Sequence, residues 1–92
     1  VLFVDDEPSN RAIFERSFSD VVDVLTVPDA DSALELLRVR EVDVLVTDHR
    51  MPRSSGVELC EQVAQQWPDV GRILVSAFLD LEAVVAAINT GR

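Results

Sequence analysis

Three aspartates stand where a carboxylate can do chemistry. Asp48 follows an apolar run over residues 42–46, broken only by Asp43, and Asp5 and Asp6 follow another over residues 1–4. Short runs rich in β-branched residues read as buried strands. In an open α/β sheet, ligands collect just past the carboxyl ends of the strands. If these two strands are parallel neighbours, three carboxylates crowd one edge of the sheet and repel one another. A hard divalent cation relieves that repulsion, taking oxygen ligands from Asp6, Asp48 and a nearby carbonyl such as that of Arg50. An aspartate beside such a cation can attack a phosphoryl group and carry it as an aspartyl phosphate. On spacing alone, the trio fits a structural cation site equally well, and any single Asp fits a cap or a turn. Ser76 ends a further apolar run, Ile73, Leu74 and Val75. Its hydroxyl can reach the same edge and donate to a phosphoryl oxygen, or else cap the segment that follows.

The elements that must position these residues alternate in kind. After the first strand and the loop 5–8, Ser9 or Asn10 can cap a helix with Ile13, Phe14 and Phe18 on its apolar face and Ala12 beside it. A second strand over 24–27 leads to a second helix, capped by Asp31 or Ser32, whose inward stripe is Ala33, Leu34 and Leu37. The third strand runs into a loop imposed by Pro52 and Gly56. Val57, Cys60, Val63, Ala64 and Trp67 then recur at helical spacing until Pro68 stops them. A fourth strand over 72–75 precedes a fourth helix lined by Leu81, Val84, Val85 and Ile88, with its exit at 89–91. Strand and helix repeated four times predict one parallel sheet with right-handed crossovers and helices on both faces. If folded material ends at Arg92, the fourth strand is an edge that another chain should cover, as a dimer or by exchange of elements.

Ninety-two residues with 48% apolar content make one small domain rather than a disordered chain. A single cysteine excludes an internal disulfide framework and suits a reducing compartment such as the cytoplasm. No apolar run approaches membrane-spanning length. Seventeen acidic residues against eight arginines and no lysine give a net charge of -9. That balance repels nucleic acid and anionic membrane from this segment.

Phe3-Val4-Asp5-Asp6-Glu7, then Val46-Thr47-Asp48 with Met51-Pro52 and Gly56, then Val75-Ser76-Ala77, taken together, resemble the receiver domain of two-component response regulators. The resemblance runs over essentially the whole chain. It implies a flavodoxin-like (CheY-like) doubly wound α/β fold with strand order 2-1-3-4, four βα units of an expected five. Residues 1–92 would then be a receiver domain without its final strand and helix. It implies that Asp48 accepts a phosphoryl group from a histidine kinase or phosphotransfer protein and loses it slowly by self-catalysis, without turnover of an external substrate. Asp5 and Asp6 would form the acidic pocket. Asp6, Asp48 and the Arg50 carbonyl would hold Mg²⁺, with Asp5 acting through water. Ser76 would be the switch residue and Ala77 the small residue beside it. The family's phosphoryl-gripping lysine belongs to the fifth strand, beyond Arg92. Without the last helix, the side of helix one around Phe14 and Phe18 would lose cover.

The family reads its phosphorylation near the fourth helix, whose exposed positions here include Glu82, Ala83, Ala86 and Ala87. An output domain or a second receiver would dock there. Arg50 and Phe78 flank the mouth of the site and would tune access by water. His49 is read as a loop residue beside the pocket, and Trp67 and Cys60 as packing residues. No Gly-rich nucleotide motif is present. Two other functions fit the pattern less well. One is a receiver-like interaction domain that works without phosphorylation, against which the complete acidic trio argues. The other is a Mg²⁺-dependent phosphoester hydrolase, for which no general acid or substrate cap is visible.

Overall fold

A computed structural model of the chain describes residues 1–49 and 55–75. Four strands form one parallel sheet: β1 (Leu2–Val4), β2 (Leu25–Val27), β3 (Val44–Asp48) and β4 (Gly71–Val75), in the order β2-β1-β3-β4. The helices α1 (Pro8–Phe18), α2 (Ala30–Val39) and α3 (Gly56–Gln66) connect them. This is the doubly wound order expected. The third strand starts two residues later than its apolar run. Val42 is buried ahead of the strand, and the Asp43 carbonyl accepts from Gly71 N–H at 2.8 Å, which starts the β3–β4 ladder. Asp48 is the last residue of the strand, as its place after the apolar run leads one to expect.

Strand alternation splits the core into two. Leu2, Val4 and Leu45 face Ala33 and Leu37 of α2 and Leu59 and Val63 of α3. Phe3 and Val46 face Phe14 and Phe18 of α1 on the other side. Phe14 lies parallel to Phe3 with ring centroids 4.2 Å apart, and Phe18 tilts against Phe14 at 4.6 Å. The expected loss of cover over Phe14 and Phe18 does not occur, because Phe3 and Val46 of the sheet bury both rings. Ile13, expected on the same apolar face, is instead 40% exposed.

The helix starts differ from the sequence expectation for local reasons. Glu7, not Ser9 or Asn10, occupies the N-cap of α1 and offers no side-chain cap. Pro8 at the first helical position lacks an N–H that would otherwise need a partner. Asp29 caps α2, its Oδ1 accepting from Ser32 N–H at 2.8 Å, so Asp31 and Ser32 already lie inside the helix. Ser55 and Glu58 close a reciprocal capping box at α3. The inward face of α3 is Gly56, Leu59 and Val63, with Cys60 and Trp67 half-buried beside it, and Val57 is 40% exposed. Gly56 selects this face, since it is pressed against β3 and the residues three and seven positions later share its side.

Candidate functional site

The β1–β3 register pairs Val4 with Thr47. One residue further, it brings Asp5 abreast of Asp48, and strand alternation puts both on the α1 side of the sheet with Phe3 and Val46. Asp6 follows on the chain. One carboxylate oxygen from each of Asp5, Asp6 and Asp48 lies within 4.8 Å of the others. Asp5 is buried, Asp6 exposed and Asp48 half-buried. The acidic edge expected from the sequence is therefore assembled.

Asp5 is held on all sides. Its N–H donates to the Val27 carbonyl at 3.2 Å, extending the β1–β2 ladder by one residue. Its Oδ1 accepts from Glu7 N–H at 2.9 Å, and its Oδ2 from Asn10 Nδ2 at 3.1 Å. Its carbonyl accepts from Arg11 Nη1 at 2.7 Å. Burial pushes the Asp5 carboxyl above the usual aspartate range. The Glu7 and Asn10 donors oppose that rise, and the Asp48 and Asp6 charges add to it.

Asp48 is set by backbone contacts. His49 N–H donates to the Val75 carbonyl at 2.8 Å, and Gly56 N–H donates to the His49 carbonyl at 3.0 Å. These bonds tie the end of β3 to β4 and to the start of α3. A methyl group on Gly56 would run into the Asp48 carbonyl oxygen and stand 2.7 Å from Leu74 Cδ1. Thr47, fully buried, donates its hydroxyl to that same carbonyl at 3.1 Å. His49 contributes its backbone to this framework while its side chain is exposed.

The donor set is all hard oxygen from clustered carboxylates. That set fits Mg²⁺ or Ca²⁺ rather than a thiolate- or imidazole-seeking metal. Arg50, Ser76, Ala77 and Phe78 lie outside the described residues, as do the fourth-helix positions Glu82, Ala83, Ala86 and Ala87. Two neighbours of the site were not foreseen. In the sequence Asn10 reads only as a possible cap and Arg11 has no assigned role, yet both side chains bind Asp5. Their placement in the first turn of a helix that leaves Asp5 through Pro8 is the signal that could have found them.

Comparison with known proteins agrees with this geometry. The response regulator receiver domain family matches residues 1–92. The hydrogenase transcriptional regulatory protein HoxA of Cupriavidus necator is 39% identical over 89 residues, 97% of this chain and 18% of the relative. The DNA-binding transcriptional regulator NtrC of Klebsiella pneumoniae is 34% identical over 89 residues, 96% of this chain and 19% of the relative. The chain thus spans about a fifth of the length of these curated relatives. Among solved structures, the signal receiver domain of an HD domain-containing protein from Pseudomonas fluorescens Pf-5 superposes with a TM-score of 0.81. It is 32% identical, with 98% of this chain and 73% of that one covered. A response regulator receiver protein from Pseudomonas putida gives 0.74 at 27% identity, covering 98% and 77%. With the strand order, the acidic edge and these likenesses in agreement, the chain belongs to the response regulator receiver domain family.

Proposed function

We propose that Asp48 is the phosphoacceptor of this receiver and that Asp5 and Asp6 serve it. The observation that carries this reading is the meeting of the three carboxylates, each with an oxygen within 4.8 Å of the others, at the carboxyl end of β1 and β3. A carboxylate oxygen of Asp48 attacks the phosphorus of a phosphohistidine on a kinase or phosphotransfer protein. The P–N bond breaks as the new P–O bond forms, and the imidazole leaves after taking up a proton. Hydrolysis of the resulting acyl phosphate by water returns Asp48 and inorganic phosphate, which resets the module.

Asp6, Asp48 and the Arg50 carbonyl would hold Mg²⁺, with Asp5 acting through water, and the ion would supply positive charge against the phosphoryl oxygens. The protein's own part is to orient Asp48. The Gly56 and His49 backbone bonds and the Thr47 hydroxyl fix the peptide that carries it. Ser76 and Ala77 are assigned the switch role, and Arg50 and Phe78 the tuning of access by water. The assignment of Ser76 and Ala77 rests on their place in the family motif, and that of Arg50 and Phe78 on their positions in sequence after Asp48 and Ser76.

We infer that the phosphorylated state is passed to an output region or a second receiver through the fourth-helix surface. The relatives HoxA and NtrC are transcriptional regulators much longer than this segment. The acidic surface of this chain assigns any DNA contact to another part of such a protein. A cytoplasmic setting follows from a kinase partner and a lone thiol. Among the described residues, no helix is long and apolar enough to cross a membrane.

Intact mass after incubation with a small phosphodonor tests the assignment. A gain of one phosphoryl group that requires Mg²⁺ and disappears in Asp48→Ala is the expected result. A gain retained in Asp48→Ala would move the acceptor elsewhere. No gain in the native chain, alone or within the longer protein, would favour the phosphorylation-independent interaction domain.

A further inference from the structure

The geometry points to Asn10 and Arg11 as positioning residues of the acidic site, acting through Asp5. The inference rests on the reading of that site as a divalent-cation pocket and extends it to residues outside the acidic trio. Asp5 has four polar groups, and each has a partner. Its N–H is held by the Val27 carbonyl, and its Oδ1 by the Glu7 N–H two residues along the chain. Its Oδ2 and its carbonyl are held by the side chains of Asn10 and Arg11. Backbone donors would be present with any side chain at these positions. The two side-chain donors are the ones that the sequence chooses.

Their effect follows from where Asp5 sits. It is 3% exposed and close to two other carboxylates, so its ionised form is disfavoured and its carboxylate would swing away from the crowd if free to rotate. Asn10 stops that rotation at Oδ2, opposite the Glu7 bond at Oδ1. Arg11 fixes the peptide behind it at 2.7 Å, so that the loop between β1 and α1 cannot recoil. The carboxylate is thereby set before a cation arrives, and the lone pairs left over on both oxygens stay directed. Outer partners of this sort raise the affinity of a site by removing the reorganisation that binding would otherwise require.

Arg11 gives the inference a direction that simple charge cannot mimic. As a mere positive charge beside an acidic pocket it would weaken cation binding, and its removal would strengthen it. As a positioning residue its removal weakens binding. Isothermal titration of Mg²⁺ into the native chain, Asn10→Ala, Arg11→Met and Arg11→Lys separates the two. Arg16→Ala, a charge loss in the same helix away from the site, is the control. Loss of affinity by about tenfold in Asn10→Ala and in Arg11→Met is expected, the low end for an outer partner of a metal ligand. Arg11→Lys keeps the charge and one donor, folds most like the native chain, and should fall between. Urea unfolding of the ion-free forms should show Asn10→Ala and Arg11→Lys still folded. Native or tighter Mg²⁺ binding by folded Asn10→Ala and Arg11→Lys would overturn the inference while leaving the pocket intact. Absence of Mg²⁺ binding by the native chain would instead remove the pocket itself, and the positioning role with it.

Discussion

The Asp5 carboxyl is buried beside the carboxyls of Asp6 and Asp48, and the donors from Glu7 and Asn10 favour its ionised form while burial opposes it. Its folded-state carboxyl titrates above the unfolded one, with burial as the chief cause. Between those two values the folded chain binds more protons than the unfolded chain. Stability from this group is therefore lost as pH rises through the folded value and recovered as pH falls toward the ordinary aspartate range. In Mg²⁺-free buffer, Asp5→Asn should raise the urea midpoint at pH 7, and the gain should fade as the pH approaches that of free aspartate. Added Mg²⁺ should then stabilise the native chain and do less for Asp5→Asn, since a ligand of the folded state stabilises in proportion to its occupancy. A urea midpoint at pH 7 unchanged or lowered by the substitution would mean that the bonds to Asp5 outweigh its charge.

Among the elements, the joint between β3 and α3 is the one built to tolerance. Ser55 and Glu58 start α3 with two reciprocal bonds, and Gly56 then lets the helix end abut the Asp48 peptide. The crowding atoms include the Asp48 carbonyl, which is backbone and cannot turn aside as a side-chain tip can. Gly56→Ala would gain about 1 kcal/mol of helix propensity. Overpacking against a fixed backbone costs up to about 3 kcal/mol. The clash wins, and a net loss of about 2 kcal/mol is expected in urea unfolding. Because the displaced peptide carries Asp48, phosphoryl loading should slow by about tenfold or more. A variant as stable and as quickly loaded as the native chain would mean that α3 can slide back freely.

The molecule as a whole has two cores on opposite faces of one sheet, and they are unequal in kind. The α2/α3 side is aliphatic, built from many modest contacts. The α1 side rests on Val46 and three phenylalanines, Phe3 stacked on Phe14 and Phe18 tilted against it. Phe14 is the middle ring and fully buried, so Phe14→Ala should cost about 3–5 kcal/mol. Small domains hold about 5–15 kcal/mol in all. The variant should thus sit near its unfolding threshold and lose Mg²⁺ affinity with its fold, as circular dichroism against temperature would show. Retained native stability would place the support of α1 elsewhere. The net charge of -9 acts on the same scale. It governs which surfaces this chain can approach rather than how it folds.

Local pattern and end-residue identity were enough to read the alternation of strand and helix, the acidic ends of β1 and β3, and the family likeness. Each of these depends on residues near one another in the chain. Register is a different matter. That Asp5 lies abreast of Asp48 follows from pairing between strands some forty residues apart, which no local period encodes. The helix starts show the same limit on a smaller scale. Asp29, Asp31 and Ser32 are all able caps, and the packing of Ala33 and Leu37 against the sheet selects among them. Likewise, the three- and four-residue spacing in α3 allows more than one inward stripe, and contact of Gly56 with the Asp48 carbonyl decides for Gly56, Leu59 and Val63. The sequence alone therefore determined which groups this protein brings to its site. The tertiary structure alone decided how Asn10 and Arg11 join them, because a side chain's reach across a loop to a buried carboxylate exists only once β1 and α1 are packed on the same sheet.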